Sequence, residues 1–545
     1  MSNIDAFLTQ YYARHPVNAT FTGVHMHDAR LPDWSRAARA DAAHEEVDLH
    51  AHLTNDPSLD AQLACAHLDV RAAELESRFM HDRNPALWTG EAIFGAVSLM
   101  VPSFAPRAER LAALTARLAA VPSFLHTLRA TLADTVPELW TARALRECRA
   151  AVELFGPGLD TWLSLHTGDD RASASVRAAA IRVRAAFHEC HQWLNTRPAA
   201  SEQDSSAGAA FFDVLLRRGH FCDRPAAELL GLALDAIENE KARLAALACE
   251  VAGSWDNAQN ALVEHHPKPD QYYDAFTNTW NACRSFALEH DLVTWPDWPL
   301  RYVPIPVWAR GAAPELYWLF YRSPAPLDEY TIHDYVVTPI DPELDESERT
   351  RRLHACNHSV IKLNHVVHHG ALGHHVQNWH ATHRSCTRIG TIAAVDCASR
   401  IGMFLGGSLA EGWACYATEL MDELGFLSPL ERVAQQHSRV RMLARAIVDI
   451  RLHTQALTPT GAARYYREET GMVDQAARNE VSKNTMFPCT ALMYWLGTQG
   501  ILELRSELQR QQGAAFRLKT FHDQLLSYGS IPVPLVARLM TRKAP

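Results

Sequence analysis

Nine histidines lie within the 30 residues from His354 to His383, whereas an even spread of the chain's 29 histidines would put one or two there. Neutral imidazole is a common ligand of zinc and other first-row metals. The enrichment therefore indicates a metal site, although for any single histidine a polar helix face is at least as good an interpretation. The nine are His354, His358, His365, His368, His369, His374, His375, His380 and His383.

One pair in this stretch has the spacing of a helical chelate. His365 and His369 are four residues apart, so on a regular helix they share a face and could bind one ion. The same spacing occurs in metalloproteases with the H-E-x-x-H pattern.

A second pair needs a break in the helix. His368 and His374 are six residues apart, about 240° around a regular helix, and converge only if the helix bends or ends between them. Gly370 and Gly373 make such a bend inexpensive. Spacing alone leaves both pairs open.

A third ligand must come from elsewhere, and Glu411 is the best carboxylate for it. Its other interpretation is specific, because Ser408 three residues earlier would form a capping box with it at a helix start. Against that interpretation, the same helix carries an apolar stripe roughly opposite Glu411, which suggests burial on both sides. The stripe consists of Leu409, Trp413, Tyr416 and Leu420.

The elements that must position these residues are mostly helices. Apolar residues recur at three- and four-residue spacing, and period-two patterns are few, so we predict a mainly α protein with few short strands. We predict one large unit over residues 1–545, with a possible division into an N-terminal helical half, 1–200, and a half with the metal site, 210–545. The clearest helical stretches are Leu111–Leu132, Ala174–Trp193 and Ala226–Val251.

Composition excludes several functions. With 52 Lys and Arg against 62 Asp and Glu, the net charge of −10 argues against a nucleic-acid partner. The apolar run Ala92–Val101 is too short to cross a bilayer, and no secretory signal is visible, so the sequence predicts a cytoplasmic protein without a membrane partner. Eleven cysteines without a C-x-x-C pair indicate reduced thiols. No G-x-S-x-G, P-loop or G-x-G-x-x-G pattern is present, so serine hydrolase, NTPase and Rossmann functions have no support.

Several ordered motifs resemble a bacterial family of unknown function that is grouped with zinc metallopeptidases. Its signatures read H-E-x-x-P-G-H-H-x-Q and E-G-W-A. The matching segments here are His368–Gln377 and Ala410–Ala414, followed by Arg445–His453, Glu480–Lys483 and Pro488–Gly497. The opening segment from His15 to Asp33 and the segment from Phe521 to Pro532 are similar too.

The resemblance implies a gluzincin-like helical architecture around a central cleft, with His368, His374 and Glu411 as zinc ligands. In that pattern the glutamate after the first histidine activates water, and zinc polarises the scissile carbonyl. Tyr494 and His453 would donate to the developing oxyanion.

The departures from the family pattern redirect the expected chemistry. His369 replaces the catalytic glutamate and Leu372 the proline, while Cys489 and Thr490 replace glycine and glutamine. Because peptide hydrolysis depends on that carboxylate, ordinary peptidase activity is not expected. We expect a metal-dependent enzyme, zinc or another divalent first-row metal, acting on a small carboxylate- or amide-bearing substrate.

Two forms of that chemistry remain open, together with one alternative to catalysis. His369 could serve as the base of a hydrolysis, or move a proton in a lyase or isomerase step of a biosynthetic pathway. Lys483, where the family has arginine, would pair with a substrate carboxylate, unless it is a solvated surface lysine. The alternative is a non-catalytic binding protein that retains the family cleft.

Overall fold

The computed structural model describes residues 2–101, 104–165, 170–316, 323–329, 332–395 and 401–541. The chain divides into two units. The first comprises Met1–Val214, Ile305–Leu319 and Pro324–Glu329, and the second comprises Leu215–Pro304, Phe320–Ser323 and Tyr330–Pro545. The aromatic run 317–321, which the sequence offers as core packing or the wall of a substrate channel, lies outside the described residues.

The first unit is helical. A 3₁₀ turn at His25–His27 follows its second helix, and a π-helical segment at Leu154–Gly158 follows its seventh. Its α-helices are α1 Asn3–Arg14, α2 Pro16–Thr22, α3 Arg36–Leu53, α4 Leu59–Ser77, α5 Pro85–Met100, α6 Arg107–Thr131, α7 Glu138–Glu153, α8 Leu159–Ser164, α9 Asp170–Leu194 and α10 Ala209–Val214.

Helix α6 has the length and hydropathy of a membrane span, and it is alone in this among the described helices. Its buried Arg117 donates to the carbonyls of Arg30 and Gly95 within the same unit, at 3.0 and 2.8 Å. A charged side chain bonded in this way is what the core helix of a folded unit contains.

The second unit carries all the candidate site residues. Its α-helices are α11 Ala226–Ala252, α12 Trp255–Glu264, α13 Tyr272–Glu289, α14 Glu346–Ala355, α15 His358–Val360, α16 His374–His383, α17 Arg388–Ile392, α18 Gly407–Glu423, α19 Pro429–His453, α20 Pro459–Thr470, α21 Asp474–Met486, α22 Met493–Gln512, α23 Leu518–Leu526 and α24 Val533–Thr541. Further π-helical segments occupy Leu215–Gly219, Ile361–Gly370 and Gly402–Gly406.

Two short parallel strands complete the second unit. Strand β1, Leu300–Pro304, pairs with β2, His333–Val337, in a register that sets Tyr302 opposite Tyr335. The Tyr302 hydroxyl donates to the carbonyl of His365 at 3.2 Å, so this ribbon contacts the histidine-rich segment.

The mainly α prediction is confirmed, because 72% of the structure is helical and only 2% is strand. The three helical stretches predicted from apolar spacing correspond to α6, α9 and α11. Capping explains several boundaries. Helix α19, for example, begins at a capping box in which Ser428 accepts from the backbone of Glu431 and Glu431 accepts from the backbone of Ser428.

Candidate metal centre

The helix that carries the first histidines is wound as a π-helix and breaks just after them. It spans Ile361–Gly370, and α16 begins at His374. Across the break, the N–H of Ala371 donates to Val366, five residues back, and the N–H of Gly373 donates to Val367, six residues back, both at 2.8 Å. The bend predicted at the glycines is therefore present.

Both glycines allow contacts that a side chain would block. A Cβ on Gly373 would lie 1.8 Å from the carbonyl oxygen of His368, and one on Gly370 would lie 2.3 Å from the Tyr302 hydroxyl. Two buried or half-buried indoles hold the turn in place. Trp280 donates to the Gly370 carbonyl at 2.7 Å, and Trp413 donates to the Leu372 carbonyl at 2.9 Å.

This turn gathers three histidines and a glutamate. The ligating nitrogens of His368, His369 and His374 lie within 4.8 Å of one another. Nε2 of His368 and Nε2 of His374 approach Oε2 of Glu411 to 3.4 and 3.5 Å. These distances are long for hydrogen bonds, and Oε2 is buried without a hydrogen-bond partner. Nε2 of His368, Nε2 of His374 and Oε2 of Glu411 thus surround a common point without forming short hydrogen bonds to one another.

The other pair predicted from spacing, His365 with His369, is not brought together in this way. Nδ1 of His365 lies 2.8 Å from the Tyr335 hydroxyl, and its Nε2 faces the Cys356 sulfur at 3.8 Å. The physical reason is the π-helix, whose wider turn no longer aligns residues four apart. His368 and His374 converge instead.

The capping-box interpretation of Glu411 is wrong. Helix α18 begins at Gly407, so Ser408 already lies inside it, and the Ser408 hydroxyl accepts from the N–H of Val533 at 3.2 Å. The first turn of α18 has no side-chain cap. Glu411 therefore points to the histidines rather than to its own helix start.

A close helix crossing brings Tyr494 to Glu411. A Cβ on Gly497 of α22 would lie 1.9 Å from the Ser408 carbonyl oxygen, and one on Gly412 of α18 would lie 2.6 Å from Gly497 Cα. Because neither glycine has a side chain, the two backbones touch. At this crossing the Tyr494 hydroxyl donates to Oε1 of Glu411 at 3.0 Å.

The electrostatics favour a negative carboxylate among neutral imidazoles. Burial alone would raise the pKa of Glu411, but His368 and His374 hold this pKa well below its usual range. Burial lowers the pKa of His368, and burial together with the neighbouring imidazoles lowers the pKa of His369 well below its usual value. Neutral imidazole and ionised carboxylate are the forms that bind metals.

His369 differs from the other two histidines in its partner. Its Nδ1 lies 2.6 Å from the carbonyl oxygen of Asn364, so Nδ1 carries the proton and donates. Nε2 is then the basic nitrogen, available to accept a proton or to bind a metal. Histidines that bind a metal commonly donate their other ring N–H to a backbone carbonyl in this way, and the hydrogen bond fixes the tautomer.

Two predicted site residues remain, Lys483 and His453. Lys483 lies near the cluster, with Nζ 5.9 Å from the centre of the Tyr494 ring. His453 is fully buried, with Nε2 3.0 Å from the carbonyl of Asn484 and 3.5 Å from Asp449. These contacts favour a positioning role for His453, whereas its role as an oxyanion donor stays a prediction.

Asp449 is a supporting residue whose role the sequence reasoning did not identify. Its carboxylate accepts from the N–H groups of Cys489, Ala491 and Leu492 at 2.8 to 3.0 Å, and so fixes the segment that leads into Tyr494. The signal available in the sequence was its place in the Arg445–His453 motif, four residues before His453.

Other histidines of the enriched stretch have structural contacts. His375 and His380 are buried, and each has Nε2 2.9 Å from a backbone carbonyl, of Trp298 and Thr294 respectively. His383 is stacked on Trp379. These contacts explain the three histidines without a role as metal ligands.

The donor set fits a divalent first-row metal. His368, His374 and Glu411 offer two imidazole nitrogens and a carboxylate oxygen, with His369 close enough to be a fourth ligand. Zinc accepts this mixture of nitrogen and oxygen ligands in catalytic sites. The unpartnered Oε2 of Glu411 is the observation that an ion would explain.

Comparison with known proteins gives a family and a fold. The chain belongs to the DUF885 family, bacterial proteins of unknown function, whose model matches residues 16–540. No curated protein matches the chain.

Two solved structures share this fold over nearly the whole chain. One is a "putative lipoprotein of unknown function" from Shewanella oneidensis, with a TM-score of 0.78 and 20% identity, covering 99% of both chains. The other is a "putative lipoprotein" from Colwellia psychrerythraea, with a TM-score of 0.74 and 15% identity, covering 98% of this chain and 97% of the other. Both proteins are described as putative lipoproteins, and these descriptions contradict the expectation of a cytoplasmic protein.

Proposed function

We propose that the protein is a metal-dependent enzyme, with zinc or a similar divalent ion held by His368, His374 and Glu411. The observation that carries the proposal is the buried Oε2 of Glu411, which faces Nε2 of both histidines at 3.4 and 3.5 Å and has no hydrogen-bond partner. Leaving a buried carboxylate oxygen unpaired is costly, and a cation at the common point removes that cost.

The bound ion would supply Lewis acidity that polarises a substrate carbonyl or carboxylate. The protein's own groups would do the rest. Nε2 of His369 would accept a proton, from water in a hydrolysis or from carbon beside a carboxylate in a lyase or isomerase step. The Tyr494 hydroxyl, which donates to Glu411, would hold that carboxylate in its binding orientation.

The position of His369 supports altered chemistry rather than ordinary peptidase activity. The resemblance to metallopeptidases places a glutamate there, whereas this chain has an imidazole whose tautomer is fixed by Asn364. We therefore propose a small carboxylate- or amide-bearing substrate, and hydrolysis, elimination and isomerisation are the reactions compatible with one base beside one metal.

Metal stoichiometry tests the proposal directly. Protein purified without chelator and dialysed against zinc is expected to hold about one equivalent per chain by mass spectrometry of the metal. His368→Ala, His374→Ala and Glu411→Gln should each lose it. His383→Ala is the matched control, because His383 belongs to the same histidine-rich stretch but is stacked on Trp379. Wild-type protein that neither binds added zinc nor is stabilised by it would overturn the proposal.

The same measurement separates the two roles of His369. His369→Ala protein that keeps the metal assigns this residue to proton transfer, whereas loss of the metal makes it a ligand. Both results are compatible with a metal centre in the wild type. Loss of the metal in the control His383→Ala as well would instead point to a general folding defect.

A further inference from the structure

A second group of charged residues, the basic cluster, lies beside the metal centre. It consists of Arg441, Arg445 and Lys483, whose charges all act on the carboxylate of Glu480. Arg445 and Lys483 both lie over the Tyr494 ring, with Arg445 Cζ 5.0 Å and Lys483 Nζ 5.9 Å from its centre. Since the hydroxyl of this ring donates to Glu411, a single tyrosine side chain separates the basic cluster from the metal ligands.

One carboxylate serves three cations in this cluster. Arg445 donates to both oxygens of Glu480, from Nε at 2.7 Å and from Nη2 at 3.0 Å. Burial raises the pKa of Glu480, but the charges of Arg445, Lys483 and Arg441 bring it down to about 2. The Glu480 carboxylate is therefore ionised, and both of its oxygens accept hydrogen bonds from the guanidinium of Arg445.

Arg441 has no such partner. It lies one helical turn before Arg445 on α19 and has no ion pair within the described part of the chain. Its Nε is buried without a hydrogen-bond acceptor. Burial and the neighbouring Arg445 lower the pKa of Arg441, so its charge is held at a cost.

Nearby acceptors are committed to other groups. The Tyr466 hydroxyl donates to Asn484 at 2.6 Å, and Asp449 accepts three backbone N–H groups. Glu419 of α18 is paired with Arg439 of α19. An acceptor for Arg441 must therefore come from outside this set.

Solvent reaches the cluster, which makes it accessible to a ligand. Arg441, Arg445 and Lys483 are each partly exposed, as are His368 and His369 of the metal centre. A guanidinium that has no ion-pair partner is suited to binding a carboxylate through charge-assisted hydrogen bonds.

We propose that the basic cluster is a carboxylate-binding subsite, in which Arg441 and Lys483 hold a carboxylate of the substrate while its reacting carbonyl lies at the metal centre. This deepens the proposed function, on which it rests for the position of the reacting group. The substrate class is then a small organic acid with a second carbonyl, amide or carboxylate group. Arg445 acts as a positioning residue, because its guanidinium is already bonded to Glu480.

The test uses the full-length protein stripped of metal by a chelator, with succinate as the probe. We expect succinate to raise the thermal unfolding midpoint of the wild type, and the neutral analogue succinamide to leave it unchanged. Arg441→Met should weaken succinate binding, measured by calorimetry, by about tenfold or more, since it removes a charge-assisted bidentate contact. Lys483→Met should weaken it as well.

Two controls make the result specific. Arg478→Met removes an exposed arginine that is paired with Asp474 on the same helix as Lys483, and should keep the wild-type response. Without ligand, Arg441→Met should be at least as stable as the wild type, because an unpaired charge has been replaced by an apolar chain of similar length. A purely structural arginine would instead give a less stable variant with an unchanged succinate response.

The outcomes distinguish this inference from the proposed function. Glu411→Gln should lose the metal but keep the succinate response. A wild type without that response, a response that persists in Arg441→Met, or an equal response to inorganic phosphate would overturn the carboxylate subsite. A normal succinate response in protein that fails to bind zinc would overturn the proposed function alone.

Discussion

The Tyr494 hydroxyl donates to one oxygen of the Glu411 carboxylate at 3.0 Å, while the other oxygen faces His368 and His374. The two residues are 83 positions apart in the chain and meet because α18 and α22 cross at a pair of glycines. The carboxylate thus has one oxygen fixed by the protein and one directed at the histidines.

Tyr494→Phe should weaken metal binding without unfolding the protein. The ring remains to fill its buried position, but Glu411 loses the donor that orients it. Loss of such a supporting hydrogen bond costs about 10- to 100-fold in metal affinity. Competition with a chelator of known zinc affinity measures the change, and Tyr465→Phe, on α20, is the control. Wild-type affinity in Tyr494→Phe would show that Tyr494 does not orient the ligand.

Gly497→Ala should destabilise the second unit and disturb the metal centre together. The added Cβ would lie 1.9 Å from the Ser408 carbonyl and 2.8 Å from Gly412 Cα, both backbone atoms, so the helices must separate. We expect a loss of about 3 kcal/mol in the free energy of unfolding, measured by urea denaturation. Gly231→Ala is the matched helical control, because nothing lies within 4 Å of its Cβ position, and it should stabilise the protein by about 1 kcal/mol.

His369→Glu should restore the carboxylate base of the family pattern. If the site differs from a peptidase chiefly at this position, the zinc-loaded variant should hydrolyse short peptides at least about 10²-fold faster than the wild type, the range in which a positioned general base contributes. Release of free amines from a peptide panel measures the rate. His369→Gln provides the comparison without a base. No gain in His369→Glu would assign His369 a role that a carboxylate cannot take over.

Stability of the first unit should decrease as the pH rises from about 6.5 to about 9. Nδ1 of His25 lies 2.9 Å from Asp28, and its Nε2 lies 2.9 Å from Asp328. Burial lowers the pKa of His25, but its bonds to the two carboxylates raise the net value to about 9. A raised pKa means that the protonated form is the stabilising one, so the contribution is complete below the unfolded pKa of about 6.5.

The expected size of this effect is about 1–2 kcal/mol, reduced from the full shift because the ring is partly exposed. His25→Gln should be less stable than the wild type at pH 6 and nearly equal to it at pH 10. Thermal unfolding at several pH values measures both. A difference between the two proteins that stays constant from pH 6 to pH 10 would contradict a protonated His25.

The histidine count indicated a metal site between His354 and His383, which stays a prediction. The apolar periodicity predicted a mainly helical chain, and the glycines predicted a break at Gly370 or Gly373; both features are present in the structure. Such features are local, because residue types and their spacing along a helix carry them. The prediction of a cytoplasmic location, drawn from the visible start of the chain, failed against the description of the two similar structures.

Spacing left two histidine pairs open, and the tertiary structure decided which histidines meet and what supports them. A regular helix would pair His365 with His369, but the segment is a π-helix, whose turn cannot be read from apolar spacing. The sequence also allowed Glu411 to cap its own helix, but α18 begins before Ser408, which rules out that role. Tyr494, Asp449 and Arg441 take their places through contacts between distant parts of the chain, and such contacts depend on how helices pack rather than on the sequence near each residue.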